Sequence, residues 1–213
     1  MYVPAHFDEQ RPDALHALIR RHPLGALVTH GALGLDANHL PFHLDVRPDG
    51  PAMLQAHVAR ANPLWREVRD GDEVLAIFRA SDAYISPNWY PSKQAQHRQV
   101  PTWNYMVVHA HGRIRVRDDE RFVRAVVGRL TKTHEATQPV PWRMADSAPG
   151  FIDGLLQAIV GIEIEITRLV GKSKLGQDEE PADQRGAAEA LKAGGADGIA
   201  EAMLARAREK SAG

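Results

Sequence analysis

Trp103-Asn-Tyr-Met-Val-Val-His-Ala-His-Gly-Arg-Ile-Arg-Val116 is the stretch whose pattern decides the fold. In an extended chain Met106, Val108, Ala110, Ile114 and Val116 fall on one side. Trp103, Tyr105, Val107, His109, His111, Arg113 and Arg115 fall on the other. A period of two marks a strand with one face in a core and the other presented to something. Strand signals continue upstream. Leu24 to His30 is an apolar run, Gly31 to Gly34 a turn, and Leu35 to Val46 alternates Asn38, Leu40, Phe42 and Leu44 against His39, Pro41, His43 and Asp45. An Arg47-Pro-Asp-Gly-Pro51 turn leads to Ala52 to Val58, which completes a meander. Glu73 to Ala80, apolar on both faces, reads as a central strand, and Tyr84 to Ser86 as a short separate one. Downstream, Ile162, Ile164 and Ile166 alternate with Glu163, Glu165 and Thr167 as a last strand.

Helical signals punctuate this β-rich chain. Asp8 to His22 carries Leu15, Leu18, Ile19 and His22 on one face, and Asn62 with Pro63 opens a short helix. Asp118 to His134 turns Phe122, Val123, Val126, Val127 and Leu130 inward, and Phe151 to Val160 follows a Pro-rich link. Ala182 to Ala193 and Asp197 to Lys210 close the chain around Gly194-Gly195. Roughly seven strands with short turns, one inserted helix and late helices specify a mainly β fold, a small antiparallel barrel with helical additions. Such a barrel is too narrow inside for a large ligand, so binding is expected in a groove or at a subunit interface.

Composition bounds the chemistry. At 213 residues, 44% apolar and 25% charged, the chain is globular rather than disordered. The absence of cysteine excludes disulfides, zinc ribbons, thiol nucleophiles and iron–sulfur clusters. With 26 basic and 27 acidic residues there is no overall field to draw the chain onto nucleic acid or an anionic membrane. Met1 to Asp8 lacks a signal-peptide pattern, and no run approaches the roughly 18 apolar residues of a membrane span, so a cytoplasmic location is the default.

Several motifs do not hold. Val170-Gly-Lys-Ser173 has the ending of a phosphate-binding loop, but Ile166 occupies the position of the required first glycine. His109 and His111 share a strand face without a carboxylate at useful spacing, so no metal site is assigned there or at His39 and His43. The C-terminal helix pair suggests a helix-turn-helix. From Pro181 onward, however, five basic residues balance five acidic ones, and Asp197 to Ala207 is mostly alanine, which cannot read base edges.

The informative segment is aromatic. Five of the chain's 13 Phe, Trp and Tyr residues (Tyr84, Trp89, Tyr90, Trp103, Tyr105) lie between positions 84 and 105. Between them Pro91 to Gln99 is polar and cationic and reads as a mobile loop. The cluster is either core beneath a loop or a platform for a planar heteroaromatic ring. His57-Val-Ala-Arg-Ala-Asn-Pro63, at a strand-to-helix junction, offers His57, Arg60 and free backbone N–H groups to a phosphate, with Asn62 as a helix cap. Lys172 and Lys174 follow the last strand.

In order and spacing, seven segments resemble the PaiB family, described as FMN-binding negative transcriptional regulators. They are Met1 to Phe7, His39-Leu-Pro41, His57 to Trp65, Tyr84 to Tyr90, Val100-Pro-Thr-Trp-Asn-Tyr105, Val160-Gly161 and Lys174-Leu-Gly-Gln-Asp178. The last departs from the family's Lys-Leu-Ser-Gln-Asn by losing a hydroxyl and gaining a carboxylate. The resemblance covers residues 1–180 and leaves 181–213 as a helical extension. It implies an FMN-binding split β-barrel, Greek-key-like and related to the pyridoxamine-phosphate oxidases, that forms a homodimer with FMN at the interface. It assigns Arg60, His57 and Lys174 to the phosphate, Asn38 and His39 to the flavin or ribityl chain, and Trp89, Trp103 and Asn104 to the ring. Asn62, Thr102, Lys172 and Gln177 complete the cofactor set. The alternative function is an FMN-dependent oxidoreductase linked to a nicotinamide, with no acid or base residue singled out. DNA is a partner of the family that the charge balance does not support.

Overall fold

The alternation at residues 103–116 becomes one strand of an eight-stranded sheet. The computed structural model describes residues 1–212. In chain order the elements are β1 (Asp8–Glu9), α1 (Pro12–Arg21), β2 (Leu24–Gly31), β3 (Gly34–Pro41), β4 (His43–Asp45), β5 (Met53–Ala59), α2 (Leu64–Glu67) and β6 (Glu73–Ile85). These are followed by α3 (Pro91–Gln96), β7 (Thr102–Arg117), α4 (Glu120–Glu135), α5 (Phe151–Gln157), β8 (Ile159–Lys174), α6 (Pro181–Ala193) and α7 (Asp197–Ala212). The sheet order is β3-β2-β6-β7-β8-β5-β4, with β1 paired to β8. It is a split barrel: the hydrogen-bonded path ends at β3 and β4 and does not close. The chain itself passes from one end strand to the other through Phe42, whose N–H donates to the Pro23 carbonyl.

The chain divides into two compact units, to which β6, β7 and β8 all contribute residues. The first comprises residues 19–78 and 109–169. Its core rests on the antiparallel β5–β8 ladder, which sets Leu54 opposite Ile164, Ala56 opposite Ile162 and Val58 opposite Val160, all buried. Cross-strand apolar pairs of this kind are the unit of sheet stabilisation. Phe42 meets Phe78 edge to face at 5.5 Å. The opposite face of the same ladder is polar and linked: Gln55 donates to Glu163, Arg129 donates to Gln55, and Arg117 donates to Glu163, while Arg129 Nε is buried without a partner. Asp119 caps α4, which buries Phe122, Val126 and Leu130.

The second unit comprises residues 1–18, 79–108 and those from 170 on. Here α6 and α7 bury Ala187, Ala188, Leu191, Ile199, Ala200 and Met203 with Ile85, Tyr90 and Leu175.

Several expectations change. Residues 35–46, read as one strand of a meander, divide at Phe42 into β3, which pairs with β2, and β4, which pairs with β5 at the other end of the sheet order. Residues 73–85 form one strand where two were expected, because Arg79 pairs with Asp82 at 2.6 Å and the polar Ser81-Asp82 step stays extended. β8 runs to Lys174, since β1 pairs Asp8 with Lys172 and Glu9 with Gly171. Lys172 and Lys174 therefore lie on a strand and not on a loop. Part of the expected loop, Pro91–Gln96, is a helix, with Pro91 in its first turn and His97 in the left-handed region at its end. Residues Asp8 and Glu9 belong to β1, so the first helix starts later than expected. No helix among the described residues is long and apolar enough to cross a membrane.

Close strand contact makes one glycine testable. A Cβ at Gly112 would stand 2.5 Å from the Glu165 carbonyl oxygen and from Ile164 Cγ2. Gly112→Ala is expected to lose about 1–3 kcal/mol of stability, the usual cost of overpacking. Urea unfolding checks this, and an unchanged midpoint would refute it.

Candidate functional site

The sequence-derived site residues fall into two groups, one within each compact unit. In the second unit β7 and β8 build an open cationic and aromatic shelf. Alternation along β7 sends Asn104 inward, 1% exposed, and leaves Trp103 54% exposed. Tyr84 packs edge-on to the Trp103 indole at 6.1 Å, and among the described residues no aromatic ring stacks on its face. Lys174 Nζ donates to Thr102 Oγ1 and, at 2.9 Å, to the Trp103 carbonyl. An ammonium has three donors, so this anchors it while leaving one direction for an anion. Burial pulls the Lys174 ammonium below its ordinary value, and Asp178 opposes that pull. Lys172 Nζ donates to the Tyr2 carbonyl at 3.3 Å and sits 5.3 Å from the Tyr105 ring centre.

Gln177 folds back on the same segment: it accepts from Leu175 N–H and donates to the Ser173 carbonyl. Gly176 lies at φ +80°, where glycine is favoured, which suits the replacement of serine at this position. The aromatic cluster itself divides. Tyr90 is buried, and burial pushes its phenol pKa up, whereas Trp89 is half-buried against the α6–α7 core. Asn104 Nδ2 reaches Met203 Sδ at 3.4 Å, while its buried Oδ1 has no partner.

In the first unit the polar residues hold one another. Asn62 Oδ1 accepts from Leu64 N–H at 2.9 Å, the local cap expected for it, and Asn62 Nδ2 donates to Asn38 Oδ1 at 2.7 Å. His39 is exposed on β3. Arg60 is held differently from the expectation. Its guanidinium grips Asp118 in a two-pronged pair at 2.9 and 2.6 Å and donates to the Gln157 and Ile159 carbonyls. Asp118 holds the Arg60 pKa above its ordinary value. Arg60 thus fastens the α5–β8 junction to the start of α4 and does not present a free fork to a phosphate.

His57 is half-buried, with Nδ1 unpartnered, and lines a cavity of about 330 Å³ with Pro41, Leu130, Thr131, His134 and Trp142. Reading the sequence missed this cavity because its α4 residues carry an ordinary core-facing pattern, and nothing local marks Trp142 as their neighbour. His109 and His111 lie with ring centres 6.5 Å apart. Among the described residues no group of three or more His, Asp or Glu side chains is placed to hold a metal ion.

Comparison with known proteins now bears on the shelf. Residues 1–168 match the family described as "Putative FMN-binding domain". The chain belongs to this family of FMN-binding domains. FMN is accordingly its cofactor, and the PaiB resemblance is supported by a relative from Bacillus subtilis named "Protease synthase and sporulation protein PAI 2". That relative is 28% identical, over 90% of this chain and 89% of its own length. An uncharacterized protein of Emericella nidulans is 32% identical over 87% of this chain and 88% of its own. Among solved structures, an FAD and haem binding protein from Mycobacterium smegmatis superposes with a TM-score of 0.58 at 16% identity, covering 79% of this chain and 74% of that one. It shares the fold.

The FMN-binding assignment can be tested against the shelf. FMN pairs an extended apolar ring with a dianionic tail, and it carries N–H and carbonyl edges. Lys172 and Lys174 suit the tail, and the open Trp103 indole suits the ring. The residues fit the cofactor.

His57 gives a pH prediction. Burial pulls its imidazole below the ordinary value of 6.5. Below that pH the unfolded chain takes a proton that the folded chain resists, so stability falls as pH drops from about 7 towards 5. His57→Gln is expected to flatten part of that slope in melting temperature against pH. An unaltered slope would contradict the assignment.

Proposed function

We propose that the protein is a PaiB-type flavoprotein acting in the cytoplasm as a homodimer, in which the β7–β8 shelf receives FMN. The observation that carries this reading is the juxtaposition of a partly desolvated Lys174, its neighbour Lys172 and the open Trp103 indole. Lys174 and Lys172 take the phosphate and Trp103 takes the ring, while Asn104, on the inward face of β7, ties the strand to Met203. Thr102, Gln177 and the half-buried Trp89 support these contacts. Asn38, His39, His57, Arg60 and Asn62, which the PaiB resemblance assigns to the cofactor, belong to the first unit and form no part of the shelf. When bound, FMN supplies reversible one- and two-electron transfer, and the chain's own task is to hold and orient it.

Two roles follow from a flavin. Negative transcriptional regulation is what the PaiB resemblance carries. The packing of the C-terminal helices does not add to it, and the second role is a flavin-dependent oxidoreductase. Ile199, Ala200, Met203 and Ala207 commit one face of α7 to the core, and what remains is alanine-rich and balanced in charge. Oxidation of a reduced nicotinamide with FMN present supports the oxidoreductase. Salt-sensitive retardation of promoter DNA by the purified protein would favour the regulator instead.

The cofactor reading is tested by titrating apoprotein with FMN and following flavin fluorescence. Replacing both Lys172 and Lys174 with Ala removes charge-assisted hydrogen bonds worth about 1.5–3 kcal/mol each, so affinity is expected to fall at least tenfold. Equal affinity in wild type and variant would remove the shelf as the phosphate site. Light scattering from the loaded protein tests the dimer, and a monomer would reject it.

A further inference from the structure

The family match ends at residue 168, yet the three segments that carry the shelf are all held by helices that follow it. Asp183, in the first turn of α6, is 1% exposed. Its Oδ1 accepts from Ser92 N–H at 2.9 Å, and its Oδ2 from Ser92 Oγ at 2.6 Å and from Gln99 Nε2 at 3.4 Å. Gln99 Nε2 also donates to Glu179 Oε2 at 3.0 Å. A single carboxylate thus holds both ends of the 92–99 stretch. Among the described residues no Lys, Arg or His pairs with it at salt-bridge distance. Burying a carboxyl group is costly unless it is hydrogen-bonded, and these three bonds offset that cost. The arrangement fixes geometry at the expense of desolvation.

The same helix presses directly on the aromatic segment. A Cβ at Gly186 would lie 2.4 Å from the Trp89 carbonyl oxygen, so the α6 backbone touches the residue before Tyr90 with no side chain intervening. Gln184 donates to the Gly176 carbonyl, Leu175 is buried beside Leu191 and Met203, and Met203 accepts from Asn104. The helix pair therefore contacts Trp89 and its following helix, Asn104 on β7, and the turn after Lys174.

We propose that α6–α7 is a built-in clamp of the cofactor shelf and that Asp183 is its positioning residue, acting through Ser92 and Gln99 on the Trp89 segment. This rests on the flavin reading of the shelf. Asp183→Ala, and separately Ser92→Ala, which removes a single hydroxyl and leaves the core untouched, are compared with wild type in two measurements. The first is amide hydrogen exchange of the apoprotein. Residues 89–99 are expected to exchange at least about tenfold faster in Asp183→Ala, as a lost hydrogen-bonded carboxylate implies, with the β5–β8 ladder unchanged. The second is FMN titration, where affinity is expected to fall about tenfold in Asp183→Ala and less in Ser92→Ala. Unchanged exchange overturns the clamp, and so does faster exchange with wild-type affinity. A wild-type protein that takes up no FMN sinks the cofactor reading itself, an outcome distinct from either.

Discussion

The candidate site depends on β8 staying extended beyond Val170. That part of the chain, Gly-Lys-Ser-Lys, has little strand preference of its own; Gly171 and Lys172 pair with Glu9 and Asp8 of β1, and β8 is also bonded to β7 in the sheet. Glu9 is itself fixed by a two-pronged pair with Arg11, at 2.8 and 2.7 Å, and by the proximity of Arg206 on α7. Because side chains alternate, an extended Lys172–Lys174 stretch sends both ammonium groups to one face, where Tyr105, Thr102 and the Trp103 carbonyl meet them. A coil at these residues would scatter the two charges. The cationic shelf thus draws on two partners of β8, with β1 from the opposite end of the sequence holding Lys172 and β7 receiving Lys174.

The strands use their two faces for different physics. On the β5–β8 ladder one face is dry, and the other carries the hydrogen-bonded Arg129–Gln55–Glu163–Arg117 chain, in which Arg129 Nε alone is buried without a partner. Elsewhere Asn104 Oδ1, His57 Nδ1, His111 Nε2 and Gln184 Oε1 are also buried without partners. Buried polar groups are normally paired, so each exception calls for an explanation. Lys174 shows the same tension in milder form, held by neutral acceptors in a setting that disfavours its charge.

Periodicity made the β-rich architecture, the C-terminal helices and the α4 core face readable from sequence, because those segments express their surroundings locally. Val108, Ala110 and Ile114 are buried as their spacing implies. What could not be read depended on distant partners. Arg60 beside a helix start looks like a phosphate ligand until Asp118 and two carbonyls claim it. Tyr90 and Trp103 carry equal weight in a count of aromatics, yet one is sealed under Leu191 and Met203 while the other stands open. Pro91–Gln96 looked like a loop because its residues are polar. Asp183, which anchors it, lies in a helix that the local pattern gave no reason to connect with it.

The passage from β3 to β4 through Phe42 has a consequence for how this chain can change over time. One short segment pairs with β2 through residues 34–41 and with β5 through residues 43–45, so both registers are coupled through a single position. Adding or deleting one residue there would turn Leu40 or Leu44 from the interior to solvent. Length variation among descendants of this sequence is therefore barred from that corner and diverted to the turn at 47–51, where the backbone pairs with nothing that sets a register.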